Sequence, residues 1–323
     1  MIKRLSILTA VLALAALALV PAASAKPFSG IADQRVETLQ DPRFKKAGIK
    51  RYRIAVSYDQ IRQGTKRGAS ANGKRLLERQ DEFFRLAKQQ RLDVMVSFYR
   101  TSMLSPKRAA ASLPSVSTFR KDFRAFRKRY PQIKKFSNWN EINFKIAQPT
   151  GRSAKRAGQF YKMLRKECRG GKCSVLTGDF RPDGSRHDKR WMKTFLKEIG
   201  KGPHQWGLIP YLDTNKFSTK LTKRFLKDTK RGNVYVTENG PINVFPFGKF
   251  RKSLSRQNKA MRYSLVNYPR VSRRIKGQYV YSWQQPAGAP SNAFDSALIG
   301  QDNKPRPAYF TFFRYLKKKA PTS

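Results

Sequence analysis

The alternation of short apolar runs with longer helical segments constrains the fold of this chain more than any other feature. Eight runs rich in Val, Ile, Tyr and Phe indicate strands, at residues 26–34, 49–59, 92–101, 133–144, 173–180, 205–217, 233–240 and 278–286. The segments between them place apolar residues three and four positions apart, which predicts amphipathic helices. Repeated strand and helix units of this kind build parallel sheets.

Eight such units predict a (β/α)8 TIM barrel, because right-handed crossovers close eight parallel strands into one sheet. An open, doubly wound α/β sheet is the alternative. The Gly/Ser-rich and Pro-rich stretches all follow predicted strands, so none of them marks a domain boundary. We therefore expect one domain, residues 26–323, whose loops form the rim that carries the active site in TIM barrels.

Residues 1–25 have the features of a cleavable export signal. Two basic residues precede an apolar run at positions 5–20, and small residues stand immediately before Lys26. The sequence predicts a signal peptide, a secreted protein and no stable membrane anchor after cleavage. An uncleaved anchor is the alternative, because an apolar segment of this length could span a bilayer.

The cysteine and histidine content argues against a metal centre. Cys168 and Cys173 are the only cysteines, and in an oxidising compartment they either form a small disulfide or remain as two free thiols. The two histidines, His187 and His204, lack zinc-ligand spacing. The chain also lacks a G-x-S-x-G elbow and a Walker A loop. We expect no cofactor.

The charge balance is strongly basic, with 69 Lys+Arg against 20 Asp+Glu and a formal net charge of +49. Such a chain attracts polyanions. The basic residues are spread over every predicted helix without an RNA or DNA motif, so no specific nucleic-acid partner is predicted. An anionic glycan fits better, and the predicted rim supplies candidate cations: Lys107, Arg108, Arg181, Arg186, Lys249 and Arg251.

In a chain this poor in acids, two glutamates stand at carboxyl ends of predicted strands, Glu141 on the fourth and Glu238 on the seventh. Every other glutamate lies in or beside a helical segment: Glu37, Glu78, Glu82, Glu167 and Glu198. Two carboxyl groups in one apolar pocket tend to separate into an ionised and a neutral partner. Cleavage of a glycosidic bond requires that combination. Asp179 and Asp213 also lie near strand ends, and either is the alternative catalytic carboxyl group if one of the two glutamates is misplaced.

Three motifs resemble those of the retaining glycoside hydrolases of clan A, and the resemblance covers essentially all of residues 26–323. "NWNEINF" (138–144) is similar to the W-N-E-P-N motif of strand four, and "VTENG" (236–240) to the T-E-x-G nucleophile strand. "YVYSWQQP" (279–286) is similar to the strand-eight segment that carries a tryptophan sugar platform. The resemblance implies a TIM-barrel glycosidase acting on oligo- or polysaccharides.

The resemblance also implies residue roles, with Glu141 as the acid/base and Glu238 as the nucleophile. Ile142 replaces the proline of the first motif, and Ile209 stands where many relatives have the histidine of H-P-Y. The second change could alter substrate choice. The residues expected to bind substrate or orient the nucleophile are Arg53, Trp139, Asn140, Tyr211 and Trp283.

Three other functions remain open at this point. The chain could be a barrel that binds glycan without cleaving it, a basic protein that binds anionic cell-wall polymer or nucleic acid, or a structural barrel. Carboxyl separation distinguishes the catalytic outcomes: about 5 to 5.5 Å suits a retaining mechanism and roughly 6.5 to 9.5 Å an inverting one. The sequence carries no signal for oligomeric state.

Overall fold

The barrel predicted from the eight apolar runs is present. A computed structural model describes residues 27–319 apart from 247 and 249. All neighbouring strands are parallel, and β8 closes the sheet against β1. The strands are β1 Phe28–Ala32, β2 Arg51–Ser57, β3 Asp93–Tyr99, β4 Lys135–Ser137, β5 Ser174–Phe180, β6 Gln205–Leu208, β7 Val234–Asn239 and β8 Ile275–Tyr281. The predicted signal peptide, residues 1–25, and the rim candidate Lys249 lie outside the described residues.

Helices surround the barrel, and the longer ones begin at sequence signals that can be read locally. Serine side chains accept a backbone hydrogen bond at the start of five helices, a cap worth about 1 kcal/mol: Ser70, Ser115, Ser153, Ser185 and Ser253. The helices are Glu37–Gln40, Pro42–Lys46, Gln60–Thr65, Ala71–Gln89, Pro106–Ala111, Val116–Arg129, Ala154–Glu167, Arg186–Ile199, Tyr211–Asn215, Lys220–Thr229, Leu254–Val271 and Pro307–Lys319, with a 3-10 turn at Pro149–Arg152.

Strand β2 shows how the two-residue period of a strand directs a polar side chain inward. Tyr52, Ile54 and Val56 belong to the large apolar cluster that joins the strands to the helices. Successive side chains of a strand point to opposite faces, so Arg53 is directed into the barrel. Its guanidinium is completely buried there. A second, smaller cluster, formed by residues such as Met95, packs separately from the large one.

Three of the strands end at least five residues before the predicted carboxyl end. The run 133–144 ends as a strand at Ser137, because the chain then turns and the Phe144 N–H donates to the Glu141 carbonyl over 2.8 Å. The run 205–217 ends as a strand at Leu208, and Pro210 precedes the short helix Tyr211–Asn215. Strand β8 ends at Tyr281, five residues before the predicted limit.

Cys168 and Cys173 form a disulfide at the end of the helix Ala154–Glu167, with their Cα atoms 4.8 Å apart. The bridge closes the short turn that leads into β5. Within the described part of the chain, none of the helices combines the length and apolar character that a membrane span requires.

Candidate active site

Arg53 is the centre of the polar cluster inside the barrel. Its Nη1 donates to Glu238 Oε2 over 2.5 Å, and its Nη2 donates to Asp179 Oδ2 over 2.6 Å and to Asn140 Oδ1 over 2.5 Å. Its Nε donates to Ser97 Oγ over 3.1 Å. A buried cation is tolerated when it is paired and hydrogen-bonded, and here partners from four other strands or their following loops meet one guanidinium.

Asp179 shares the charge of Arg53 with Glu238, since it is bound by Nη2 and Glu238 by Nη1. Its Oδ2 also accepts the Ser97 hydroxyl over 2.6 Å, while its Oδ1 is buried without a described hydrogen-bond partner. The neighbouring strand leaves room for this carboxylate only because it carries Gly207, where a Cβ atom would lie 2.4 Å from Oδ1. The β5–β6 register shifts between Leu176 and Asp179, and such irregularities redirect side chains.

Glu238 lies on β7 with both carboxylate oxygens engaged by donors. The Tyr211 hydroxyl donates to Oε1 over 2.8 Å, and Arg53 occupies Oε2. Burial and the charge of Glu238 raise the pKa of Tyr211 well above its usual value, so the phenol stays protonated and remains a donor. The β7–β8 register shifts between Val236 and Asn239, the interval that contains Glu238. These contacts hold the carboxylate in one orientation.

Glu141 follows β4 in a turn and has a left-handed backbone, with φ at 45°. The turn is anchored on both sides, because the Asn140 N–H donates to the Phe98 carbonyl and the Ile142 N–H to the Asp179 carbonyl. A non-glycine residue in this conformation costs of order 1–3 kcal/mol and is often found at functional sites. The hydrogen bonds of the flanking residues hold Glu141 in that geometry.

The environment of Glu141 favours a protonated carboxyl group. The pKa of Glu141 is raised to about 7, mainly by burial and to a smaller extent by the charge of Glu238. Arg181, Arg53 and Arg100 oppose this shift without cancelling it. The Arg181 Nε lies 3.2 Å from Glu141 Oε1, and the Glu141 side chain retains 20% of its exposure. The two glutamates therefore interact electrostatically in contrasting environments. Arg53 and Tyr211 donate to Glu238, whereas burial favours the protonated form of Glu141.

Two sequence predictions are wrong in the structure. Trp139 and Trp283 are fully buried, so neither ring is available as a sugar platform. Trp283 donates from Nε1 to Asp41 Oδ2 over 2.8 Å and packs edge-on against Phe44. Trp139 donates to Gln148 Oε1 over 3.1 Å. Both rings fill the interface between strands and helices.

The remaining predicted residues come together. Glu141, Glu238, Asn140 and Tyr211 all connect to the Arg53 cluster, either by a hydrogen bond or by electrostatic interaction with Glu238. Asp179, named as a substitute, is part of that cluster. Asp213 is not, because its carboxylate accepts the N–H groups of Leu221 and Thr222 at the start of a helix.

Sequence reasoning missed Ser97, and it assigned the wrong aromatic residue of β8 to the pocket. Tyr281 is the last residue of β8, and the charges of Glu238 and Glu141 both raise its already elevated pKa. Its ring is tilted against Phe294, whose ring also contacts Tyr211. A strand limit at residue 281 in place of 286 would have identified Tyr281. Nothing in the sequence around Ser97 marks it.

Within the described residues, no three His, Cys, Asp or Glu side chains cluster as a metal site would require. The site contains two glutamates in contrasting environments, and a buried arginine, Arg53, pairs with Glu238 and with Asp179. Such an arrangement can supply one proton donor and one anionic nucleophile.

No protein-family model and no curated protein sequence matches this chain. Solved structures do. GH5_18 from Streptomyces cattleya, in complex with GlcNAc, has a TM-score of 0.65 and 13% identity over 92% of this chain and 81% of that one. The chain shares the barrel fold of glycoside hydrolases.

Two further structures show the same likeness. The family 1 β-glucosidase from Thermotoga maritima has a TM-score of 0.63 and 12% identity, covering 91% of this chain and 98% of that one. Xylanase 10B from Thermotoga petrophila RKU-1, in complex with xylobiose, has a TM-score of 0.59 and 10% identity, covering 91% and 95%. At these identities the likeness establishes the fold that was expected from the motifs of the sequence.

Proposed function

We propose that this chain is a glycoside hydrolase that cleaves O-glycosidic bonds by a retaining mechanism, with Glu141 as acid/base and Glu238 as nucleophile. One observation carries the proposal: Arg53 and Tyr211 donate to the two carboxylate oxygens of Glu238, whereas burial raises the pKa of Glu141 to about 7 and favours its protonated form. The first chemical step needs a proton donor and a carboxylate nucleophile, and these environments suit the two roles.

In the first step, Glu141 donates its proton to the oxygen of the leaving sugar as the glycosidic bond breaks. A carboxylate oxygen of Glu238 forms a bond to the anomeric carbon, which yields a glycosyl ester and an ionised Glu141. Arg53 remains paired with the Asp179 carboxylate when Glu238 becomes an uncharged ester. The buried cluster is therefore not left with an unpaired cation in the intermediate.

In the second step, Glu141 accepts a proton from a water molecule whose oxygen attacks the anomeric carbon. The bond to Glu238 breaks and its electron pair returns to the carboxylate, which regains Arg53 and Tyr211 as donors. Two displacements at the same carbon restore its configuration. Asn140 uses its Oδ1 for Arg53, and its amide NH₂ has no described acceptor, which suits a contact to a sugar hydroxyl.

Carbohydrate as the substrate class is supported by the sugars in related structures. GlcNAc, Manβ1-4GlcNAc and xylobiose are bound in structures that share this fold. The alternative of a non-catalytic glycan-binding barrel relied on Trp283 and Tyr211 as sugar contacts, and it loses the first of them because Trp283 is buried. Tyr211 and Tyr281 are aromatic residues that interact with Glu238, and the ring of Phe294 contacts both of them.

A panel of aryl β-glycosides and oligosaccharides tests the proposal. We expect release of sugar from at least one substrate, and proton NMR of the first product should show the anomeric configuration of the substrate, because two displacements retain it. An inverted first product would contradict the role of Glu238. Absence of turnover on every substrate would contradict hydrolysis itself.

We also propose that the chain is exported and that residues 1–25 are removed. Basic residues, an apolar run and small residues before Lys26 support this proposal. A disulfide is in keeping with an oxidising compartment. Expression in a secreting host should yield protein in the medium whose N-terminal sequence begins at Lys26. Retention of Met1 in membrane-bound protein would show an uncleaved anchor.

A further inference from the structure

Arg181 is the charged residue in contact with Glu141 that the proposed reaction does not use. It follows β5, and its guanidinium carbon lies 4.0 Å from the centre of the Phe144 ring, over the ring face. The buried Asn143 holds its backbone on both sides: the Arg181 N–H donates to Asn143 Oδ1 over 2.9 Å, and Asn143 Nδ2 donates to the Arg181 carbonyl over 3.0 Å. Arg181 is therefore fixed by residues of the same segment that carries Glu141.

Most of the hydrogen-bonding capacity of Arg181 is unused. A guanidinium group has five N–H donors, and the ion pair with Glu141 is measured at Nε. No described residue accepts a hydrogen bond from Nη1 or Nη2, and neither atom is among the buried unpartnered groups. The side chain keeps 19% of its exposure. Two parallel donors are thus open to a molecule that enters beside Glu141.

A cation in contact with a general acid works against proton donation, because it favours the ionised carboxylate. This opposing effect of Arg181 is removed if a negatively charged group of the substrate pairs with its guanidinium. Arginine recognises carboxylate, sulfate and phosphate groups through paired N–H donors. Since a general acid contacts the leaving-group oxygen, a group bound by Arg181 belongs to the sugar on that side of the bond.

We propose that Arg181 binds an oxyanion substituent of the leaving-group sugar, so that the enzyme prefers acidic glycans at this position. The inference rests on the proposed function, and it names the substrate class. A substituent bound in this way withdraws Arg181 from Glu141 and leaves the acid to protonate the leaving oxygen. Arg100, whose Nη1 donates to the Ala147 carbonyl over 2.5 Å, also acts electrostatically on Glu141 and adds to the positive charge around it.

Matched substrates test the inference. The probes are β-linked glucose disaccharides whose leaving-group residue carries a 6-carboxylate, its methyl ester, a 6-sulfate or a 6-phosphate. We expect kcat/KM to be about 10- to 100-fold higher for an anionic probe than for the ester, because charge-assisted hydrogen bonds contribute most of the difference. The three anionic probes show which oxyanion is preferred.

The control must separate Arg181 from the general attraction of a basic protein. Arg181→Gln should abolish the preference, whereas Arg190→Gln should keep it, since Arg190 is exposed on the helix Arg186–Ile199 and carries the same charge. Calorimetric binding of the carboxylate probe and its ester to Glu238→Gln gives the same comparison without turnover.

The outcomes separate the inference from the proposed function. Equal kcat/KM for the ester and the anionic probes would overturn the inference and leave the proposed function intact. The same would follow if Arg190→Gln lowered the preference for the anion as much as Arg181→Gln. Preferential binding of the anion that depends on Arg181, without hydrolysis of any probe or of any member of the aryl glycoside panel, would support the anion site and overturn the function. Failure to bind or cleave any probe would overturn the inference, and absence of turnover on the panel as well would overturn both.

Discussion

Glu141→Gln should lower kcat by about 10²- to 10⁴-fold on glycosides with sugar leaving groups, which is the usual contribution of general acid catalysis. Formation of the glycosyl ester from an aryl glycoside with an acidic phenol should be much less affected, because that leaving group departs without a proton. In the wild type, kcat/KM should fall as pH rises through about 7, since the protonated fraction of Glu141 falls there. The variant should lack this limb.

Glu238→Gln provides the contrast, because a nucleophile is needed for every leaving group. We expect a loss of roughly 10⁴-fold or more on sugar and aryl leaving groups alike. Glu78→Gln is the matched control, since Glu78 is exposed on the helix Ala71–Gln89 and should leave the rates unchanged. Steady-state and burst kinetics across pH 4 to 9 measure all three variants. A persistent alkaline limb in Glu141→Gln would contradict its role as the acid.

Arg53→Met should lower the free energy of unfolding by about 3 to 5 kcal/mol, the usual cost of removing one partner of a buried ion pair. The reason is that Asp179 and Glu238 would remain inside the barrel without their shared cation. Arg51→Met, two residues away on β2, is the control. Its pair with Asp93 is substantially exposed, so its loss should cost no more than about 1 kcal/mol.

Urea unfolding of both variants at pH 8 and pH 5 measures this difference. Without Arg53, at least one of the two carboxylates must take up a proton in the folded state, so its folded pKa should rise above its unfolded value. The folded state then binds more protons than the unfolded state, and stability falls as pH rises through that window. The penalty of Arg53→Met should therefore be larger at pH 8. Equal penalties in Arg53→Met and Arg51→Met would show that the cluster is not electrostatically coupled.

Asp179 gives the cluster a property that a simple arginine and nucleophile pair would lack. Arg53 is shared between two carboxylates, so its positive charge does not act on Glu238 alone. A nucleophile that is neutralised completely by its partner attacks less readily. In the proposed mechanism, the same sharing keeps Arg53 paired while Glu238 is esterified, and the Ser97 hydroxyl, which donates to Asp179, holds that carboxylate in place.

Much of the molecule follows from local patterns in the sequence. The two-residue period of the strands, the three- and four-residue period of the helices and the serine caps do not depend on distant contacts, and they predict the barrel. The scarcity of acids made Glu141 and Glu238 conspicuous, and the Asn-Glu and Thr-Glu motifs placed them on strands four and seven. Arg53 was expected from the resemblance to the clan A glycoside hydrolases.

Other features depend on how the sheet closes. Strand limits on β8 are set by pairing with β1 and β7, so the sequence alone placed Trp283 at the pocket, where the structure has Tyr281. The register shift at Asp179 and the anchoring of Arg181 by Asn143 join residues far apart along the chain. A periodic pattern determines which way a side chain faces within its own element. The meeting of side chains from different strands is decided only by the closure and register of the whole barrel.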